Sequence, residues 1–237
     1  VWATTNLFPR LPLTAFQAGE EQRLLLSERQ INVRDGVTFH HTARQLLTVA
    51  GVQNGSTVSI DFDPSYQTLT LHSVKVWRGT NATEHLDQAR VSTIRREKDL
   101  DRYLFNGESS AVLVLKDVRV RDIVEFSYSV RGTNPVFEGK FFAAVPVQHS
   151  VPVHRLLTRV LWPTARKLQL KNHACAVVPQ KRVAGEITEY VWDFRNVAAL
   201  PAEDSLPAWL DADPWVQLSE FQSWAEVARW AVTLFAG

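Results

Sequence analysis

From residue 22 onward, apolar and polar positions alternate with period two along much of the chain. A strand with one dry and one wet face needs this pattern. "RQINV", Asp35-Gly36 and "VTFHHTARQLLTVAG" predict a hairpin with Asp-Gly as a type I′ turn. Asn54-Gly55 marks a second turn, after which Val58, Ile60 and Phe62 alternate with Thr57, Ser59 and Asp61. Asp63-Pro64-Ser65 breaks the chain, and "QTLTLHSVKVW" resumes it. Residues 80–106 alternate least and carry a dense charge run, which suits long arms or a solvated loop equally. "AVLVLK" and "DIVEFSYSV" follow, the latter placing Val124, Phe126, Tyr128 and Val130 on one face. Gly132, Asn134 and Pro135 read as a turn, ahead of "VFEGKFFAAV", "VHRLLTRVLW", "KLQLKN", "ACAVV" and "EITEYVWDF". In the last, Tyr190, Trp192 and Phe194 share a face. About ten strands without interleaved helices predict an all-β fold, an antiparallel two-sheet β-sandwich of about ten or more strands over residues 22–200.

The flanks have different patterns. Residues 1–21 carry Pro9, Pro12 and Gly19 among scattered apolar side chains, and read as an extended lead-in. Residues 201–222 lie in a stretch rich in proline and acids, and read as a linker. Residues 223–237 change to helical spacing. Ser223 and Glu226 stand at capping-box distance, and Trp224, Val227, Ala228, Ala231, Leu234 and Phe235 make one apolar face. Glu226, Arg229 and Thr233 lie opposite.

Composition narrows the possible partners. Lys plus Arg number 26 and Asp plus Glu 25 in 237 residues, so the basic excess that marks a nucleic-acid binder is missing. No run approaches the roughly 18 consecutive apolar residues of a membrane-spanning helix. The single cysteine rules out an intrachain disulfide and leaves the compartment open. The chain has no methionine and starts at Val1, which suits a trimmed chain or a mature protein freed of its signal peptide.

Candidate chemistry is sparse. His173-Ala-Cys175 pairs the only cysteine with a nearby histidine. At this spacing the Cα atoms of a strand lie about 6.5–7 Å apart, too far for direct thiol–imidazole contact without a bend. Cys175 is therefore expected to pack as a small apolar residue. His40 and His41 are adjacent, so a strand points them to opposite faces and one ion cannot use both. Asp61 and Asp63 share a strand face next to a proline and read as turn chemistry, with calcium the alternative. No nucleophile elbow, phosphate loop or dinucleotide fingerprint is present. Catalytic residues, metal ligands and cofactor-binding residues are accordingly assigned to none of the positions. Of the eight tryptophans, Trp209, Trp215, Trp224 and Trp230 crowd the last thirty residues, a density that suits an interface. Trp209, Trp215, Trp224, Val227, Trp230, Ala231 and Leu234 form the expected interdomain surface.

The order of "INVRDGVTFHH", "STVSIDFDPSYQTLTLHSVKVWRG", "VRVRDIVEFSYSVRGTNPVFEGKFF", "TEYVWDFRNVAALPAEDSLPAW" and "SWAEVARWAVTLF" carries a resemblance over roughly residues 20 to 235. It resembles the bacterial domain family of unknown function that stands directly before a transglutaminase-like domain. The resemblance implies a secreted or periplasmic protein, with a β-sandwich front and then a papain-like core bearing a Cys-His-Asp triad. Ser223, Trp224, Glu226, Val227 and Trp230 match the pattern that opens the first helix of that core. The triad cysteine would lie well downstream of this helix and is not Cys175, so no catalytic residue carries over. The expectation is a noncatalytic domain that supports or positions a downstream domain absent from this sequence. A cell-envelope carbohydrate- or peptide-binding module is the alternative, suggested by the aromatics and the sandwich pattern.

Overall fold

Period-two burial along the strands builds the fold. The computed structural model describes residues 2–10, 19–86, 92–95, 107, 109–200 and 213–235, with the backbone alone at 92–95. In chain order the strands are β1 (Gln22–Asn32), β2 (Val37–Leu46), β3 (Thr57–Phe62), β4 (Thr68–Arg78), β5 (Asn81–Glu84), β6 (Ser92–Arg95) and β7 (Ser109–Val114). Then come β8 (Ile123–Arg131), β9 (Phe142–Pro146), β10 (Val153–Pro163), β11 (Gln169–His173), β12 (Gln180–Ala184), β13 (Ile187–Val197) and β14 (Trp215–Ser219). Among the described residues, two α-helices, α1 (Val49–Gly55) and α2 (Trp224–Phe235), complete the set.

Eight strands form one sheet in the order β12-β13-β10-β1-β2-β8-β4-β5. Two three-stranded sheets, β11-β14-β9 and β3-β7-β6, lie against the same face of it. The chain is mainly β, as the alternation predicts, but the second layer is divided into two small sheets. One strand pair, β1 with β10, is parallel. Its register sets Leu24 beside Val153 and Asn32 beside Leu161, far apart in sequence, which local alternation does not encode.

Each small sheet closes its own core. Under β9 and β14, Val145, Val216 and Leu218 meet Ile31, Val160, Trp162 and Trp192. Under β3 and β7, Val58, Ile60, Ala111 and Leu113 meet Leu46, Val74, Val76 and Val124. Val124, Phe126, Tyr128 and Tyr190, Trp192, Phe194 face these cores as their alternation predicts. Burying each such aliphatic or aromatic side chain contributes roughly 1.5–3 kcal/mol.

Local differences from the sequence reading have local causes. The β1–β2 hairpin turns through four residues, 33–36, and not through a two-residue type I′ turn. Gly36 alone supplies the left-handed conformation there, with φ of 60°. The strand after it stops at Leu46. Thr48 caps α1 by accepting from the Gly51 N–H at 3.0 Å, so Asn54-Gly55 ends a helix and is not a free turn. Residues 215–219, inside the stretch expected as a linker, are the central strand of the β11-β14-β9 sheet. The dense prolines and acids precede them, while Val216 and Leu218 alternate inward.

The outer face of the large sheet is crossed by residues 2–10. Phe8 packs with Trp77 edge-to-face at 6.2 Å, beside the buried Leu25, Leu26, Ala43 and Ile123. Asn6 donates to Glu28 at 2.5 Å, and Arg159 donates to the Trp2 carbonyl at 2.9 Å. The lead-in thus covers polar positions that would otherwise face solvent.

Candidate functional site

The C-terminal helix follows directly on β14. Ser223 accepts from the Glu226 N–H at 3.2 Å, and the Glu226 carboxylate accepts from the Gln222 N–H at 2.7 Å. This is the reciprocal cap that Ser223 and Glu226 predict, shifted by one residue on the return bond. Lys140 donates to Glu226 at 2.5 Å, and that bond leads the causes holding the Glu226 carboxyl below its usual range.

One edge of α2 is fixed to the β domain. The Trp230 ring stacks on Phe137 with centroids 5.2 Å apart and leans on Phe221 at 5.5 Å. Its Nε1 donates to the Val136 carbonyl at 2.9 Å. Phe137 belongs to a short 3-10 turn, Pro135–Phe137, capped by Asn134, and meets Phe142 edge-to-face at 4.3 Å. Phe221 is held in place by neighbours: Arg166 pairs with Glu220, which also accepts from the Phe141 N–H at 2.7 Å. Glu226, Val227, Trp230 and Ala231 are the half-buried residues of the helix.

The adjacent edge is bare. Trp224 is 86% exposed, Val232 64% and Phe235 86%, with Ala228 exposed between them. At 100° per residue these four fall within one quadrant of the helix. Leu234, 47% exposed, falls within the docked arc between Trp230 and Val227, near the last turn of the helix. The helix is apolar over more than the single face that its spacing predicts, and the β domain covers only part of it. Between α2 and the β11-β14-β9 sheet runs a groove of about 560 Å³, lined among others by Phe137, Phe142, Leu170, Phe221, Trp224 and Val227.

The expected interface residues do not all gather here. Trp224, Val227, Trp230, Ala231 and Leu234 lie on α2. Trp215 is at the opposite end of β14, stacked on His173 with centroids 4.1 Å apart. Trp209 lies outside the described residues. The Phe137, Phe142 and Phe221 platform was not among the expected positions, although "NPVFEGKFF" carries two of its rings, Phe137 and Phe142, around a turn.

The remaining sequence candidates resolve into structural roles. Cys175 packs against the core under β14, and its Sγ lies 3.4 Å from the Trp215 carbonyl. His173 instead bonds Gln217 at 3.0 Å. His40 and His41 do point to opposite faces. His40 stacks on Tyr128 at 4.6 Å on the inner face, while His41 lies on the outer face between Glu28 and Glu125. Asp63 accepts from the Ser65 backbone N–H at 2.9 Å and from its hydroxyl at 2.6 Å, a turn as its setting predicts. Among the described residues, no three of His, Cys, Asp and Glu come together to hold a metal ion, and no helix is long and apolar enough to cross a membrane.

No curated protein matches the chain. Among solved structures, it is similar to a "putative protease" from Parabacteroides distasonis, with a TM-score of 0.69 and 18% identity. That match covers 86% of this chain and 41% of the other, so the chain spans about two fifths of that protein's length. At this identity the likeness is one of fold. A looser match is Legionella pneumophila aminopeptidase A in complex with aspartic acid, with a TM-score of 0.41, 10% identity, and coverage of 87% of this chain and 22% of that one. Residues 34–201 match the family described as a Domain of Unknown Function with solved structure, DUF3857, and the chain belongs to that family.

Proposed function

We propose that this chain is a noncatalytic β domain that holds and positions a transglutaminase-like cysteine domain C-terminal to it in the same polypeptide, with α2 as the joint. The observation that carries this reading is a helix fixed along one edge by Trp230 and bare along the next, where Trp224, Val232 and Phe235 stand exposed. A contiguous apolar stripe of this kind is costly in water and suits a protein partner. Covering three such side chains would contribute roughly 1.5–3 kcal/mol each. The rigid anchor supports a positioning role, because a docked helix fixes the angle at which its outer face is presented. The fold likeness to a protein more than twice as long agrees with a domain that works beside another in one polypeptide. The nucleophile in this reading belongs to the following domain, since Cys175 is held against the β14 core. An extracytoplasmic location is part of the proposal.

The test uses the full gene product. Replacing Trp224→Ser and Phe235→Ser together is expected to lower its thiol-dependent turnover at least tenfold, while Cys175→Ser leaves turnover unchanged. Full turnover with both apolar residues replaced would sink the positioning role. The aromatic groove beside α2 favours a second reading, a site for an extended peptide or glycan. Saturable binding of such a ligand, lost on Phe142→Ala, would support it.

A further inference from the structure

The inner face of the large sheet is apolar at both ends and polar in the middle. Cross-strand register places Trp192, Thr158, Arg29, His40, Tyr128 and Leu71 in one row. Trp192 lies under one small sheet, and Tyr128 and Leu71 under the other. Arg29 and His40 therefore fall at the seam between the two small sheets, where a cavity of about 510 Å³ opens. Its walls include Arg29, His40, Thr38, Asp61 and Lys140.

Arg29 is unusual in this setting. Its Nη2 donates to the Ala144 carbonyl, tying β1 to β9. Its Nε is buried and has no hydrogen-bond partner, and no carboxylate lies within ion-pair distance of it among the described residues. Buried charges are ordinarily paired, because desolvating a lone cation costs several kcal/mol. The surroundings are affected accordingly. Burial lowers the Arg29 guanidinium to about 10. Burial, and then the charge of Arg29, lowers His40 to about 4 and also lowers His149, which bonds Ser27 on the same strand face at 3.2 Å. Tyr128 is pushed up to about 12, mainly by burial. At neutral pH Arg29 is thus a cation among neutral imidazoles and a neutral phenol. The other charges on the cavity wall are already engaged. Lys140 pairs with Glu226, and Asp61 accepts from Ser110. Arg44 gives a useful contrast. Half-buried, it too is an arginine without an acid beside it and with a buried, unpartnered Nε, but it lies over the Phe126 ring at 5.5 Å, donates to the Thr57 carbonyl at 2.9 Å and does not line this cavity.

We infer that the seam between the two small sheets is a carboxylate-binding site, with Arg29 as its anchoring cation and Thr38 as the hydroxyl on the adjacent wall. The cavity is in the size range of small-molecule sites, and with Nη2 tied to the Ala144 carbonyl and Nε shut off from solvent, the remaining terminal N–H groups of Arg29 are the donors that would meet a carboxylate in a charge-assisted bond. The carboxylate has two possible sources, a free small acid or an acidic side chain of a peptide.

The test is a titration of arginine-labelled protein at constant ionic strength, following the Arg29 Nε–Hε resonance. Succinate represents the free acid and N-acetyl-Asp-Ala-Ala-amide the peptide, with succinamide as the neutral control. A saturable shift with either acid, absent with succinamide, is expected, and the tighter of the two identifies the source. Arg29→Gln should weaken binding by about 10- to 100-fold, the loss of one charge-assisted contact, while Arg195→Gln on the exposed surface should not. No saturable shift with either acid, or an equal response to succinamide, overturns the site whether or not the variant folds. Affinity retained in a folded Arg29→Gln overturns it as well.

Discussion

Replacing His41 by leucine is expected to destabilise the protein by about 3–5 kcal/mol, the usual cost of removing one partner from a buried charged pair. Glu28 is wholly buried, and accepts from Asn6 at 2.5 Å, Gln30 at 2.6 Å and His41 at 3.3 Å. The other ring nitrogen of His41 bonds Glu125 at 2.9 Å, whose second oxygen accepts from Trp77 at 2.6 Å. Two carboxylates thus share one imidazolium, and leucine would leave Glu28 charged, buried and without a cation. Burial alone would lower the His41 pKa, but the bonds from Glu125 and Glu28 outweigh it and raise the group to about 9. A histidine raised in the folded state contributes stability that is complete below its unfolded value of 6.5 and disappears as pH rises through about 9. Urea denaturation should therefore show wild-type stability falling by about 2 kcal/mol between pH 7 and pH 9, a slope that His41→Leu abolishes. Its neighbour His40 works in the opposite direction. Its folded value is lowered to about 4, so its contribution is present above 6.5 and is lost as pH falls through about 4. Equal stability of wild type and His41→Leu at pH 7 would show that the outer-face network contributes nothing.

Gly132→Ala is expected to cost a similar amount, about 3–5 kcal/mol, through backbone strain and overpacking together. Gly132 follows β8 at φ of 127°, and a Cβ there would stand 1.9 Å from the Tyr66 carbonyl oxygen. The obstacle is backbone, so no side-chain rotation relieves it. Gly132 also donates to the Gly36 carbonyl at 2.9 Å, which ties this turn to the β1–β2 hairpin. Both Gly132 and Tyr66 line the seam cavity, so the substitution should weaken carboxylate binding as well as stability. Gly79→Ala is the matched control. It has φ of 60° but nothing within 4 Å of its Cβ, and should cost only about 1–2 kcal/mol in thermal or chemical unfolding.

What was legible in the sequence follows from the range of the interactions involved. The strands β3, β8 and β13 were readable because apolar side chains recur at every second position in their sequences, as Val58, Ile60 and Phe62 do in β3. The α2 cap was readable because Ser223 and Glu226 form it locally. The parallel β1–β10 pair was not, since nothing in "RQIN" identifies "LLTRVLW" as its neighbour. Nor was β14, because only five residues alternate after a proline- and acid-rich run. Glu28 and His41 look like wet-face residues in sequence, and become buried only because residues 2–10 cross that face. Arg29 and His40 were equally silent. Their significance depends on the gap between two small sheets, a feature of tertiary packing. On α2 the apolar spacing was plain, but not which edge would dock, because that is decided by Phe137 and Phe221 on distant segments.

The central claim is that the bare edge of α2 packs against a following domain. Amide hydrogen exchange across residues 224–235 tests it most directly, comparing this chain alone with the full gene product. The account predicts that these amides exchange readily in the isolated chain, where the helix is held along one edge, and become at least a hundredfold more protected in the full product. Equal exchange rates in the two would contradict it.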